Sequence, residues 1–216
     1  MSIAQPSETP ARRGPGRPVS LAKRRAMLDA AIREFQAHGY DGASMDAIAA
    51  SSDVSKRTLY NHFPSKDALI AAYLERRFVH ARPSDKPPAM QILGTFDSLE
   101  RRFAAKDFRG CPFVNAVAEL GPTDRAVKKI AIAFKESRRV WFRERLTELG
   151  VADADALATQ LVLLVDGSIA QDLVRDDPAM ARAAKEAAKV LLRNAGVDVE
   201  GDAKPAPVKG KRPPQS

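Results

Sequence analysis

Apolar residues recur at spacings of three and four along most of the chain, and strict alternation is scarce between residues 21 and 200. This spacing is typical of amphipathic helices. Glycine, proline and serine divide the pattern into nine segments, so the sequence predicts an all-α fold. The predicted helices span residues 21–38, 44–51, 55–63, 66–82, 89–105, 112–120, 124–149, 153–175 and 178–194.

Serine residues stand where three of these helices are expected to begin. Ser44, Ser55 and Ser65 are N-cap candidates, because a serine hydroxyl accepts a hydrogen bond from a backbone N–H of the first helical turn. Gly39 is expected to end helix 1. Helices 2 and 3 are short and are joined by a three-residue turn, which gives them the dimensions of a helix-turn-helix.

The two ends of the chain differ from its body. Residues 1–20 and 201–216 are rich in proline and lack apolar periodicity, so we expect both to be disordered basic segments. A proline-rich break at residues 83–88 divides the body. The sequence therefore predicts one domain over residues 21–82 and a second over residues 83–200.

The net charge of +8 is unevenly distributed. Residues 1–82 carry +5, residues 83–200 are neutral and residues 201–216 carry +3. A positive field confined to part of a chain is typical of a protein in which one domain contacts nucleic acid. Basic ends that only aid solubility are the alternative.

Composition and residue placement argue against several other classes. A single cysteine, Cys111, excludes an intrachain disulfide and suits the cytoplasm. The apolar run at residues 161–165 is far shorter than the roughly 20 residues of a membrane span. The three histidines, His38, His62 and His80, lack a paired carboxylate or cysteine at ligand spacing. We therefore expect no membrane association, no enzymatic activity, no metal and no cofactor.

Basic and hydroxyl side chains open helix 3. Lys56 and Arg57 can contact phosphates or guanine edges, and the hydroxyls of Ser55 and Thr58 can reach phosphates. This chemistry favours DNA binding. A helical hairpin with surface charge is the alternative that spacing alone leaves open.

The stretch from residue 30 to residue 74 resembles the DNA-binding domain of TetR-family transcriptional regulators. The resemblance implies an N-terminal three-helix helix-turn-helix domain that helix 4 joins to a helical ligand-binding and dimerisation domain. The positions that carry it are Phe35, Gly39, Tyr40, Ser44, Ile48, Ala49, Val54, Ser55, Lys66 and residues 59–63.

Helix 3 is the recognition helix if the resemblance holds, with Lys56, Arg57 and Thr58 facing the major groove. Arg17 lies in a Gly-Arg-Pro segment similar to tails that occupy narrow minor grooves. Packing is the alternative role for Tyr60, and solvated disorder is the alternative for the arm. The candidate DNA-binding residues are Arg17, Ser44, Ser55, Lys56, Arg57, Thr58, Tyr60, His62 and Lys66.

The same resemblance implies an apolar ligand cavity among helices 5 to 8. The apolar run at residues 161–165 and the small apolar face of helix 9 predict a dimer formed by helices 8 and 9. Core packing within a single chain is the alternative for both sets. The ligand candidates are Phe96, Phe103, Phe113, Asn115, Phe134 and Trp141. The dimerisation candidates are Leu161, Leu164, Val165, Ala183, Ala187, Val190 and Leu191.

We therefore expect a cytoplasmic, homodimeric regulator that binds a double-stranded DNA operator. We expect it to act as a repressor that a small, mainly apolar effector releases. Two other functions stay open at this point. One is a helical interaction protein with secondary DNA contact, and the other is redox or electrophile sensing through Cys111, which lies at the start of helix 6.

Overall fold

The computed structural model describes residues 20–78, 84–121 and 125–199. Within these ranges all regular structure is helical, as predicted. Arg17, His80 and nearly all of the two predicted disordered ends lie outside the described residues. The helices are α1 (Leu21–Gly42), α2 (Met45–Ser51), α3 (Lys56–His62), α4 (Lys66–Arg77), α5 (Pro88–Phe103), α6 (Pro112–Leu120), α7 (Arg125–Glu148), α8 (Ala154–Arg175) and α9 (Ala179–Asn194).

The chain forms two compact units, Met1–Leu69 and Ile70–Ser216. The division falls within α4, whereas the sequence places it at residues 82–83. Helix α4 also ends at Arg77, five residues before the predicted end. A proline sets the latest position at which a preceding helix can end, and it does not exclude an earlier end.

The first unit contains α1, α2 and α3. Helix α1 packs against α2, and α2 packs against α3. The interior holds Leu28, Phe35, Ile48 and Leu59, which are all buried. Each of these residues is apolar and occupies a helix face that the sequence pattern predicts to be internal, so burial of apolar area stabilises the unit.

Local signals define the ends of these helices. Gly39 has φ 73°, a left-handed conformation that glycine adopts without strain, and it interrupts α1 where the sequence predicts its end. The three predicted serine caps are confirmed. Ser44 Oγ accepts from Ala47 N at 3.0 Å, Ser55 Oγ from Thr58 N at 3.2 Å, and Ser65 Oγ from Ala68 N at 3.0 Å.

The second unit is a bundle of long helices. Helix α7 packs against α5, α6 and α8, and α9 packs against α5 and α8. Four large side chains, Phe96, Phe113, Phe142 and Leu146, are at most 1% exposed. Pro88 and Pro112 occupy the first turn of α5 and α6, where a missing N–H costs no hydrogen bond.

Helix α8 is long and apolar enough to cross a membrane by length and composition. Only 33% of its apolar stretch is buried within the chain. Leu161 and Val165 are in the buried part, and both are 0% exposed. These two residues belong to the core of their own chain. They therefore cannot form the dimer surface for which the sequence suggested them, and Leu163, at 65% exposed, is the accessible apolar residue of that run.

Helix α9 turns its charged face partly inward. Lys185 Nζ lies 2.9 Å from Asp97 Oδ1 on α5, and Arg182 pairs with Glu100 on the same helix. The buried stripe of α9 consists of Ala181, Ala184, Ala188 and Leu192. The apolar face formed by Ala183, Ala187 and Val190 consequently points away from the chain's own core, with Val190 53% exposed.

Candidate functional site

The turn between α2 and α3 fixes the position of α3. Asp53 adopts φ 53°, and Val54 N donates to Ala49 O at 3.3 Å, which folds the chain back toward α2. Ser55 then caps α3, and its hydroxyl is 2.8 Å from Thr58 Oγ1. Leu59 is the buried residue of this two-turn helix. A capped start and one buried leucine therefore hold α3 with the rest of its surface accessible.

The accessible surface of α3 is basic. Lys56 and Arg57 are exposed, and Tyr60 is 40% exposed. Lys56 Nζ lies 2.7 Å from Asp46 Oδ1, and this hydrogen-bonded carboxylate raises the pKa of Lys56. Arg57 has no hydrogen-bond or ion-pair partner among the described residues. Its guanidinium is therefore available to an external acceptor.

Lys66 has a structural partner that sequence reasoning missed. The position of a cation at the start of α4 suggested an external anion, because it opposes the helix dipole. In the structure Lys66 Nζ donates to Asp41 O at 2.6 Å. This contact offsets the unfavourable position and links the start of α4 to the end of α1. No sequence signal could have shown it, since the acceptor is a backbone carbonyl 25 residues away.

His62 ends α3 and is half-buried, with its ring centroid 6.3 Å from that of Phe63. The structure therefore brings Ser55, Lys56, Arg57, Thr58, Tyr60 and His62 together on one short helix. Ser44 lies at the start of α2 and Lys66 at the start of α4.

A cavity of about 870 Å³ lies between α5 and α7 in the second unit. Its size suits a drug-sized molecule, for which pockets span roughly 300–1,000 Å³. Two of the predicted ligand residues, Phe134 and Trp141, line it. The other lining residues are Ser84, Lys86, Met90, Gln91, Gly94, Thr95, Ser98, Ala133, Glu136, Ser137, Arg138, Val140, Phe142 and Glu144.

The other four predicted ligand residues lie elsewhere. Phe96 is 1% exposed and packs in the core. Phe103 lines a second cavity of about 600 Å³ at the ends of α5 and α8, and Phe113 borders an open groove between α6, α7 and α8. Asn115 Nδ2 donates to Arg109 O at 2.7 Å, so its amide closes the turn before α6. Sequence spacing identifies apolar faces but not which face borders empty space.

Sequence reasoning passed over two arginines close to these aromatic residues. Arg138 lines the α5–α7 cavity, and its guanidinium carbon is 5.4 Å from the centroid of the Phe134 ring. Arg102 on α5 is close enough for its charge to interact with that of Arg138. The spacing of four residues between Phe134 and Arg138 placed both on one helix face, and this was the available signal.

Asp172 on α8 is a second missed residue, at the cavity that Phe103 lines. It is 2% exposed, and its Oδ1 has no hydrogen-bond partner within the described part of the chain. Burial raises the pKa of Asp172, and the charges of Asp176 and Asp177 raise it further. Its place in the buried stripe of Leu161, Val165 and Ser168 was the sequence signal.

We expect Asp172→Asn to raise the free energy of unfolding at pH 7 by about 1 kcal/mol, because it removes a buried charge. The pKa of Asp172 is higher in the folded than in the unfolded protein, so protonation favours folding. The stability that this protonation provides is fully present below the pKa of Asp172 in the unfolded protein. It is lost as pH rises through the higher pKa of Asp172 in the folded protein. The stability gained by Asp172→Asn should therefore be smaller in acid than at pH 7.

Urea unfolding at pH 7 and at about pH 4, close to the ordinary pKa of a carboxyl group, measures this effect. Asp85→Asn, at an exposed position, is the matched control and should change neither value. A backbone hydrogen bond from Asp177 partly offsets the cost of burying the Asp172 charge. A variant less stable than the wild type at pH 7 would show that this burial is not unfavourable overall.

Cys111 occupies the N-cap position of α6 and is 8% exposed. It lies beside Phe113, and its thiol is largely covered by protein. This burial favours a packing role for the cysteine.

Comparisons with known proteins extend these findings. Residues 27–73 match the family model described as bacterial regulatory proteins, tetR family. SCO4454, a TetR-family transcriptional regulator from Streptomyces coelicolor, has a crystal structure that superposes with a TM-score of 0.72 and 30% sequence identity. The superposition covers 80% of this chain and 95% of that chain.

Shorter alignments link the chain to curated regulators. The HTH-type transcriptional regulator Rv1556 from Mycobacterium tuberculosis is 46% identical over 50 residues, which cover 23% of this chain and a quarter of the relative's length. The HTH-type transcriptional repressor SCO4008 from Streptomyces coelicolor is 32% identical over 78 residues, or 36% of this chain and 41% of that protein. The chain therefore aligns with less than half the length of each of these two curated relatives.

The fold, the exposed basic helix and these similarities define a helix-turn-helix transcriptional regulator. The chain belongs to the TetR family of bacterial regulatory proteins.

Proposed function

We propose that this regulator represses transcription by binding an operator through α3 as a homodimer, and that a small, mainly apolar molecule releases it. The observation that carries the proposal is the exposed basic surface of α3, held in place by the buried Leu59. The similarity to SCO4008, which is named a repressor, supports repression rather than activation.

In this proposal α3 enters the major groove of the operator. Lys56, Arg57 and Thr58 face the base edges, and Arg57 is the main specificity residue because it has no partner within the described ranges. A free guanidinium can form the bidentate contact with guanine O6 and N7. Lys56 exchanges its exposed pair with Asp46 for a DNA contact at little cost, since such surface pairs contribute little stability.

The remaining polar residues of the first unit contact the DNA backbone in this proposal. Ser44 and Ser55 lie at helix N-termini, where backbone N–H groups also attract phosphate. Tyr60 and His62 follow along α3, and Lys66 reaches a phosphate from the start of α4. Arg17, outside the described residues, is proposed to occupy the minor groove.

We expect Arg57→Ala to weaken operator binding by about 1–3 kcal/mol and to relax base preference at one operator position. By contrast, Lys66→Ala should weaken binding to all sequences alike. It should also reduce the slope of log affinity against log salt concentration by about one unit, as expected for the loss of one phosphate contact. A selection from random DNA identifies the operator, and fluorescence anisotropy with single-base variants measures the affinities.

The exposed Asn61→Ala, on the same helix, is the control for helix integrity. Wild-type affinity and preference in Arg57→Ala would contradict the proposed contact. If the selection returned no preferred sequence at all, the alternative of a helical interaction protein with secondary DNA contact would be favoured.

The proposed dimer surface differs in part from the predicted one. Leu161 and Val165 are internal, whereas Leu163, Val174 and Val190 are 65%, 85% and 53% exposed. Together with Ala183, Ala187 and the half-buried Leu164 and Leu191, they leave apolar area on α8 and α9 in contact with water. Burying this area against a second copy would recover hydrophobic free energy. A two-fold dimer would also present two copies of α3 to a palindromic operator.

We expect Val190→Glu to convert the dimer to a monomer, because a charge at the centre of an apolar interface must be desolvated without a partner. Val190 is exposed within one chain, so the variant should keep its helical circular dichroism. Multi-angle light scattering at low micromolar concentration measures the mass. Leu21→Glu, at an exposed leucine on α1, is the control and should stay dimeric. A monomeric wild type would overturn the proposal.

The α5–α7 cavity supports control by a ligand. Phe134, Trp141 and Met90 supply apolar wall, and the cavity is remote in sequence from α3. An effector must favour the state that does not bind DNA by about 3 kcal/mol to lower operator affinity a hundredfold. Thiol-based sensing is less favoured, because Cys111 is buried.

A further inference from the structure

Three phenylalanine rings from three segments of the second unit form one cluster. The rings of Phe113 and Phe134 stack with centroids 3.8 Å apart and planes inclined by 8°. Phe78, just beyond α4, lies edge-on to both, at 6.4 Å and 5.6 Å. Phe134 belongs both to this cluster and to the wall of the α5–α7 cavity. The cluster therefore gives this part of the cavity a fixed aromatic wall.

Arginine side chains converge on the same place. Arg138 lies over the Phe134 ring and lines the cavity. Burial lowers the pKa of Arg138. Burial also lowers the pKa of Arg102, and the charges of Arg77 and Arg138 lower it further. The charges of Arg77 on α4 and Arg138 on α7 thus each act on the guanidinium of Arg102 on α5.

Asp107 attracts Arg102, but the carboxylates near Arg138 already have other partners. Asp166 attracts Arg138, but its Oδ1 is already 2.6 Å from Lys135 Nζ. Glu136 and Glu144, which line the cavity, lie 2.5 Å from Arg139 and 3.9 Å from Arg145 respectively. Within the described ranges, no hydrogen bond or ion pair is made by the guanidinium of Arg77, Arg102 or Arg138.

Arg77 and Arg102 are exposed, whereas Arg138 is half-buried. A partly desolvated guanidinium without a hydrogen-bonded counter-charge is unfavourable in a folded protein, and an anion bound to Arg138 would offset the cost. A guanidinium stacked on an aromatic ring is held in one orientation and can bind a carboxylate through two parallel hydrogen bonds. The cavity beside Arg138 is large and mostly apolar, so the rest of such an anion would be hydrophobic.

We propose that the effector of this regulator is an apolar molecule carrying one carboxylate, which Arg138 binds while the apolar body fills the α5–α7 cavity. Arg102 and Arg77 add to the positive potential at that end of the cavity. The inference rests on the proposed ligand control and specifies the chemical class of the ligand.

Trp141 provides a reporter at the site, because it is the chain's one tryptophan and lines the cavity. The probes are two series with the same number of carbon atoms that differ in charge. The first is 4-phenylbutyrate, 4-phenylbutanol and 4-phenylbutylammonium, and the second is decanoate, decanol and decylammonium. Titration of the full-length protein, followed by Trp141 fluorescence and calorimetry, gives a dissociation constant for each probe.

At least one carboxylate should bind tenfold or more tightly than the alcohol and the ammonium of its series. Arg138→Gln should weaken carboxylate binding by about tenfold or more, as expected for a charge-assisted hydrogen bond, and should leave alcohol binding unchanged. Arg143→Gln is the matched control, since it removes a charge from α7 outside the cavity and should change neither affinity. Arg102→Gln should weaken carboxylate binding less than Arg138→Gln.

Equal or tighter binding of the neutral or cationic probes would overturn the proposal. Unchanged carboxylate affinity in Arg138→Gln, or no binding of any probe, would also overturn it. Operator affinity of the ligand-free protein is measured in parallel. Retained operator binding with no carboxylate preference refutes this inference alone, whereas absence of operator binding in the wild type refutes the proposed function.

Discussion

Replacing Leu59 with alanine is expected to lower the free energy of unfolding of the first unit by about 2–5 kcal/mol and to abolish specific operator binding. Leu59 is 0% exposed and is the buried residue of the seven-residue α3. Truncating it removes apolar burial and leaves a cavity. A two-turn helix has little intrinsic stability, so it depends on this contact to keep its position.

Urea unfolding followed by circular dichroism, together with hydrogen exchange of the α3 amides, measures this loss. Asn61→Ala on the exposed side of α3 serves as the control and is expected within about 0.5 kcal/mol of the wild type. If Leu59→Ala kept wild-type protection and operator affinity, α3 would be held by other contacts and the proposed arrangement would be wrong.

Phe142→Ala is expected to lower the free energy of unfolding of the second unit by about 3–5 kcal/mol, the cost of truncating a buried phenylalanine. Phe142 is 0% exposed on α7. Its neighbour Trp141, whose ring centroid is 5.1 Å away, is half-buried at the cavity wall. Trp141→Ala should therefore cost less stability while impairing release of DNA by the effector.

The two variants form a matched pair, because adjacent residues of one helix are truncated to the same size. Circular dichroism during urea unfolding compares their stability, since it does not depend on tryptophan. Release of the operator by the carboxylate, alcohol or ammonium probe that binds most tightly compares how the two variants respond to an effector. Similar stability losses in both variants would show that Trp141 is a core residue, and an unchanged response in Trp141→Ala would remove it from the ligand site.

Several site residues were predictable because their roles depend on local chemistry. A serine before a helical segment predicts a cap wherever the helix lies, and Ser44, Ser55 and Ser65 all act as caps. The spacing of Lys56, Arg57 and Tyr60 predicts that they share one short helix, and the structure leaves all three exposed. Such features involve atoms a few residues apart, so the sequence contains most of the relevant information.

The cavity was predictable only in part. Phe134 and Trp141 line it, but Phe96 and Phe113 are equally apolar residues in equally periodic helices and pack in the interior. For the same reason, the sequence did not distinguish Leu161 and Val165, which are internal, from Leu163, which is exposed. Hydrophobicity predicts that a side chain leaves water, but it does not specify the neighbour against which that side chain packs.

The sequence by itself determined the helical class, most helix ends, the capped turn before α3 and the basic surface of that helix. Tertiary structure alone decided that Lys66 binds the carbonyl of Asp41, that the charged face of α9 pairs with α5, and that Arg138 of α7 lies within charge-interaction range of Arg102 of α5. The physical reason is distance along the chain. Local features follow from backbone geometry and short-range hydrogen bonding, whereas these contacts exist only once helices far apart in sequence have packed together.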